Sequence, residues 1–283
     1  MATNSVLTEE ELSDIERANA SGRTPVVFIH GLWLLSSSWR RWRTLFDEAG
    51  YATIAPIWPD DPDTVEAARQ DPTVFANKMV RQVSDHFLDA IGHLTKKPAV
   101  IGHSFGGLIA QGIAGTGESA VTVAIAPAPF RGVLPLPLSS LKAAIPVLGN
   151  PVNAGRAVSL TYEQYKYGWV NALDDEEGRA LFEQYHVAAA GIPIFEAATA
   201  NLNPFSQVTV DTRNPDRGPL LIISGQKDHT IPWAIAQAAF KLQQVNPSRT
   251  EIVEVPNRGH SLTIDHGWRE VAELALGFVR KHG

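Results

Sequence analysis

Six short runs of apolar, largely β-branched residues recur along the chain with little polar alternation: PVVFI from Pro25, then Tyr51 to Ile57, Pro98 to His103, Ala120 to Ala126, Pro219 to Ser224 and Glu251 to Val255. A strand covered on one face alternates apolar and polar positions, so runs of this kind predict short strands buried on both faces. Between most of them lie stretches of helical length with a helical apolar period, roughly 38–49, 73–95, 105–115, 232–245 and 267–281. Strands alternating with helices predict an α/β fold, a mostly parallel sheet of about six strands with helices on both faces. Ahead of the first run, Thr8-Glu9-Glu10-Glu11 places Glu three positions after Thr, the capping-box spacing, and predicts a helix over 8–20.

The alternation fails from about 128 to 206. No buried strand is predicted there, and six of the 19 prolines fall between Pro127 and Pro151. Four of the five tyrosines (Tyr162, Tyr165, Tyr167, Tyr185) lie in this interval with Trp169, Phe182 and Phe195, on segments whose spacing is helical. The interval reads as a mainly helical insertion, with residues 1–127 and 207–283 forming one α/β core. Its aromatics either pack a small core of the insertion or face a ligand, and both readings stay open. No repeat of solenoid or propeller period is present.

Composition narrows the function classes. At 283 residues, with 44% hydrophobic and 19% charged positions, the chain is an ordinary globular protein. With 24 basic against 30 acidic residues there is no positive surplus for a nucleic acid to recruit. The absence of cysteine removes disulfides, thiolate nucleophiles, iron–sulfur clusters and Cys-type zinc sites. The N-terminal sequence lacks a positive region followed by an apolar core, and no run approaches about 18 apolar residues, so a soluble, cytoplasmic protein that does not enter membranes is expected.

The sharpest chemical feature is Gly102-His103-Ser104-Phe105-Gly106-Gly107, directly after one predicted strand and directly before a helical stretch. A serine on so tight a strand-to-helix turn is pushed out of the sheet edge, and close backbone approach demands small neighbours. A serine hydroxyl needs a general base to become a nucleophile, and the base needs an orienting acid. Of nine histidines, His260 lies in the loop after the last predicted strand, whereas His86 and His93 sit in a helical pattern, His186 in the insertion and His282 at the terminus; His266 is a minor rival. Asp228, just after the strand run PLLIIS, is the well-placed carboxylate, Asp265 being too near His260 in sequence. Backbone N–H groups at Leu32 (with Trp33 beside it) and at Phe105 are placed to serve an oxyanion. Gly115 to Ala120 satisfies G-x-G-x-x-A but follows a helix and precedes a strand, and reads as a helix stop. Neither a P-loop nor a zinc-ligand spacing is present, so cofactor-free and metal-free catalysis is expected.

Taken in order, HG at 30–31, GHSFGG at 102–107, GQKDHTIP at 225–232 and NRGHS at 257–261 resemble the α/β-hydrolase superfamily from about Pro25 to the C-terminus. The resemblance implies a Ser104–His260–Asp228 triad, an oxyanion hole from Leu32 and Phe105, a lid formed by 128–206 after the sixth strand of the family's sheet, and a substrate pocket between lid and sheet. Only about 24 residues, mostly helical in pattern, precede the first core strand, so the family's usual first two strands are not expected in this sequence. Trp33, His103 and Trp169 are expected to contact substrate. Serine as nucleophile disfavours dehalogenase and epoxide hydrolase chemistry. It points first to hydrolysis of a carboxylic ester or lactone of a small, largely apolar molecule, with amide hydrolysis, C–C bond hydrolysis, perhydrolysis, cyanohydrin cleavage or a slow small-molecule receptor as alternatives.

Overall fold

The structure, a computed structural model, describes residues 6–283. Along the chain run α1 (Glu9–Ala20), β1 (Pro25–Ile29), α2 (Arg40–Glu48), β2 (Ala52–Ile54), α3 (Val65–Gln70), α4 (Val80–Gly92), β3 (Ala99–His103), α5 (Phe105–Thr116) and β4 (Val121–Ile125). There follow α6 (Leu138–Leu148), β5 (Ala157–Val158), α7 (Tyr162–Gly168), α8 (Asp175–Tyr185), β6 (Ala189–Ala190), α9 (Ile192–Thr199), β7 (Leu220–Gly225), α10 (Trp233–Gln243), β8 (Thr250–Val255) and α11 (Trp268–His282). The main sheet has the order β2-β1-β3-β4-β7-β8, with every pair parallel. Among the described residues no strand precedes β1.

The four inner strands are buried along their whole length because helices cover both faces, which is why their sequences need no alternation. On one face α2 and α11 pack together; α5, α4 and α10 form the other layer, where Gln243 Nε2–H donates to Gln111 Oε1 at 3.1 Å. The capping box of α1 is formed: Thr8 Oγ1 accepts the Glu11 N–H, and the Glu11 carboxylate accepts the Thr8 N–H at 2.8 Å. That carboxylate also takes the Ile57 N–H at 3.1 Å and a ring N–H of His86 at 2.8 Å, so one buried acid ties α1 to the loop after β2 and to α4.

Three expectations are revised. β8 is an edge strand, partly exposed over most of its length rather than buried, as its two glutamates require. The single helix predicted over 73–95 is a 3₁₀ turn at Pro72–Phe75 followed by α4, because Asn77 takes a left-handed φ of 61° between them. Within 128–206, where no strand was predicted, the two-residue β5 and β6 pair antiparallel. The Gly-rich string after α5 is a helix stop as expected, with Gly117 at φ 84°.

Candidate active site

Ser104 is the single residue between β3 and α5, at φ 56° and ψ −120°. A positive φ strains a residue with a Cβ, and it persists only where surrounding contacts over-determine it. Here the Ser104 N–H donates to the Ile125 carbonyl at 2.9 Å, and the Ser104 carbonyl accepts the Gly107 and Ala128 N–H groups at 2.9 and 3.0 Å. Closure of the turn also needs Gly106, where an added Cβ would lie 2.1 Å from the Ile29 carbonyl oxygen.

His260 follows β8 after a turn through Asn257, and its Nε2 lies 3.1 Å from Ser104 Oγ. Its Nδ1 lies 2.7 Å from Asp228 Oδ2. A carboxylate only accepts, so the proton sits on Nδ1 and the Nε2 lone pair faces the hydroxyl. The other Asp228 oxygen accepts the Thr230 and Ile231 N–H groups, each at 2.8 Å, which fixes the carboxylate plane at the start of α10. The three side chains thus form one hydrogen-bonded line across the carboxyl ends of β3, β7 and β8. Among the rivals, His266 is exposed and paired with Glu177 at 2.7 Å, while the buried Asp265 is paired with Arg258.

Two aromatic rings stand against the buried His260. Trp169 meets it edge to face with centroids 4.7 Å apart, and the His103 ring lies 4.8 Å away. His103 donates its Nε2–H to the His260 carbonyl at 2.9 Å. Burial, reinforced by His260, holds the pKa of His103 well below its ordinary value, so it stays neutral beside the line. Backbone ties complete the frame: Ser261 N–H donates to the Trp169 carbonyl at 3.1 Å and Lys227 N–H to the Arg258 carbonyl at 2.8 Å. Asn171 Nδ2–H donates to the Lys227 carbonyl at 2.8 Å and Thr230 Oγ1–H to the Gly168 carbonyl at 2.7 Å.

The turn after β1 passes close to the serine: a Cβ on Gly31 would come within 2.8 Å of Ser104 Cβ. Among the described residues the N–H groups of Leu32 and Phe105 have no acceptor, and the latter opens α5, whose N-terminus carries partial positive charge. Trp33, at φ 62°, donates its indole N–H to the Val158 carbonyl at 2.9 Å, tying this turn to β5.

The residues chosen as catalytic, oxyanion and substrate-contact candidates lie at this one end of the sheet, but the rings of His103 and Trp169, expected to meet substrate, are buried against His260 instead, 0% and 2% exposed. The orienting amides of Thr230 and Ile231 escaped sequence reasoning because a backbone N–H has no letter, although Asp followed two positions on by Thr is compatible with an Asx turn. Asn171 had no signal at all. Among the described residues no cluster of three or more His, Cys, Asp or Glu could hold a metal ion, and no helix is long and apolar enough to cross a membrane.

Residues 26–274 match the model of the alpha/beta hydrolase family. A search of curated proteins by sequence finds no match. Among solved structures, the monoacylglycerol lipase of Paleococcus ferrophilus is similar at TM-score 0.63 and 19% identity, over 92% of this chain and 95% of that one. A pyrethroid hydrolase from Sphingobium faniae is similar at TM-score 0.62 and 17% identity, over 91% and 97%. A protein described as a putative non-heme bromoperoxidase of Mycobacterium tuberculosis is similar at TM-score 0.64 and 18% identity, over 92% and 93%.

Proposed function

Starting from a chain that belongs to the alpha/beta hydrolase family, we propose that it is a serine hydrolase cleaving a carboxylic ester, or a lactone, of a small and largely apolar molecule through an acyl-enzyme. The observation that carries this reading is the line Ser104 Oγ–His260 Nε2–His260 Nδ1–Asp228, with bonds of 3.1 and 2.7 Å, built on a strained serine. His260 Nε2 takes the hydroxyl proton as Oγ bonds to the carbonyl carbon. The carbonyl oxygen becomes an oxyanion received by the Leu32 and Phe105 N–H groups, which have no acceptor among the described residues. The imidazolium formed next to Asp228 then protonates the departing alcohol, and a water repeats the cycle on the acyl group. Asp228 remains ionised throughout and holds the tautomer.

The segment 128–206 acts as the cover of the site. His103 and Trp169 act by holding the His260 ring, and the apolar side chains of Leu32, Trp33 and Leu34 beside the serine turn favour an uncharged acyl or alcohol group. That two of the similar structures are described as a lipase and a pyrethroid hydrolase agrees with ester chemistry.

The test is turnover of a panel of p-nitrophenyl esters by wild type and Ser104→Ala, with the denaturant midpoint of both measured. Loss of at least about 10³-fold in kcat with an unchanged midpoint is expected. Equal rates would end the hydrolase reading of this serine, and a single stoichiometric burst without steady turnover would favour a receptor.

A further inference from the structure

A buried ionic cluster lies behind the Gly31–Leu32 turn and takes no part in the line described above. His30, Asp61 and Lys78 come from the end of β1, the loop after β2 and the residue two places before α4, and their side chains are 2%, 3% and 5% exposed. Asp61 Oδ1 accepts a hydrogen bond from Lys78 Nζ, and Asp61 Oδ2 stands 3.5 Å from His30 Nε2. The Lys78 ammonium also sits 5.0 Å over the Phe75 ring. The left-handed Asn77 turns the chain inward at this point, and the Trp58–Asp61 turn is closed by Asp61 N–H donating to the Trp58 carbonyl at 2.9 Å.

We propose that Lys78 and Asp61 are positioning residues which, through His30, hold the Leu32 N–H on the oxyanion. The inference rests on the hydrolase reading above and adds to it the means by which one donor is aimed. His30 Nδ1 lies 2.9 Å from the Gly31 carbonyl oxygen, and since a carbonyl only accepts, Nδ1 carries the proton. Carbonyl and N–H of a trans peptide point in opposite directions, so a ring that grips the Gly31 oxygen sets the bearing of the Leu32 N–H. The ring is itself held from its far edge. With Nδ1 protonated, Nε2 of a neutral His30 is a bare acceptor facing the second acceptor Asp61 Oδ2, and the contact is attractive only if one proton lies between them.

Burial pushes the Asp61 carboxyl up to about 7, with Lys78 pulling against it and Asp60 adding to it; burial, with Lys78, pushes the His30 imidazole down to about 4. The two shifts favour a proton on Asp61 over one on the ring, and His30 Nε2, buried and with no other hydrogen-bond partner among the described residues, is the acceptor that this carboxyl faces. Trp58 closes the remaining side, donating Nε1–H to the His30 carbonyl at 3.1 Å with its ring 5.5 Å from the imidazole. Lys78→Met would leave Asp61 buried without its cation, and breaking a buried pair disturbs its neighbours far more than breaking a surface one.

The experiment compares wild type, Lys78→Met, Lys78→Arg, Asp61→Asn and Ser104→Ala on one p-nitrophenyl ester. Inhibition by an alkyl boronic acid, which adds to the serine as a tetrahedral anion, is measured alongside. For Lys78→Met the expectation is a fall in kcat of roughly 10-fold to 100-fold, less than removal of an oxyanion donor outright, with KM within about threefold. Boronate affinity should fall by the same factor as kcat. Lys78→Arg should recover most of both, and Asp61→Asn, which can still donate to His30 Nε2 and accept from Lys78, should fall less than Lys78→Met. If Lys78→Met is too unstable to assay, Asp61→Ala, which can neither donate to His30 Nε2 nor accept from Lys78, decides by whether kcat and boronate affinity fall together. Folded variants with wild-type kcat and boronate affinity would overturn the positioning role. Activity remaining in Ser104→Ala would instead strike the hydrolase reading itself.

Discussion

The segment between β4 and β7 divides into two parts of opposite character. From Leu160 to Ala190 it is anchored: Tyr165 and Trp169 are buried and stacked at 5.5 Å, the Trp169 edge supports His260, and hydrogen bonds join the Gly168 and Trp169 carbonyls and the Asn171 side chain to the loops after β7 and β8. His186, at its far end, accepts the Leu160 N–H at 3.2 Å. The flanking parts, 131–152 and 200–206, leave Leu134, Leu138, Ile145, Leu202 and Phe205 between 60% and 85% exposed. Their polar ties mostly join them to each other, as in Asn201 Nδ2–H to the Val133 carbonyl at 2.8 Å and Arg131 Nη1–H to the Pro204 carbonyl at 2.9 Å. Pro146 inside α6 removes a helical donor there as well. One part of the segment is thus built into the histidine's support, and the other, although it leaves much apolar surface to water, meets the first through α6, where Lys142 Nζ stands 4.1 Å over the Tyr167 ring and Val147 is buried.

The comparison breaks most visibly at Trp169. Trp169→Ala empties a large buried volume beside His260 and is expected to cost about 3–5 kcal/mol of stability, read from the denaturant midpoint. It should also lower kcat more than 10-fold in the fraction that remains folded.

Acid offers a second, smaller handle on the anchored part. Burial, with Arg69 nearby, depresses the His186 pKa to about 4 from an ordinary 6.5. The folded protein therefore disfavours the charged ring, so the contribution of His186 to stability is complete above pH 6.5 and is lost as pH falls toward 4. His186→Gln, which can still accept the Leu160 N–H, should flatten that part of the acid limb in a series of denaturant midpoints from pH 7 to 4.5. An unchanged slope would mean that the ring is not buried neutral.

Exchange of backbone amides should separate the two parts without any substitution: those of α7 should exchange more slowly than those of 132–137 by at least about 10-fold. Smallest of all, Leu138→Ser and Ile145→Ser together should shift stability by no more than about 0.5 kcal/mol for each site, since both side chains already meet water. A large loss there would show that the outer part is packed after all.

Much of this was legible along the chain. The inner strands β1, β3, β4 and β7 announced themselves because both of their faces are dry, and the turn at Ser104 did so because its geometry tolerates few residue types. β8 was misjudged because an edge strand keeps enough Ile and Val to read like an inner one. The break at Asn77 was hidden in a segment whose apolar period runs through it. Lys78, Asp61 and Asn171 gave no hint, since nothing local distinguishes a buried charge from the solvated ones around it.

Sequence alone determined the alternation of strands and helices, the serine turn, and which histidine and aspartate stand at strand ends, because those features follow from periodicity and from residues fixed by their immediate neighbours. Only the tertiary structure decided that Trp169 backs the histidine ring, that two backbone amides orient Asp228, and that Lys78 reaches Asp61 behind the Gly31–Leu32 peptide. Each of these joins residues tens of positions apart through contacts that depend on how whole elements pack, and no local pattern records a partner that arrives from another layer.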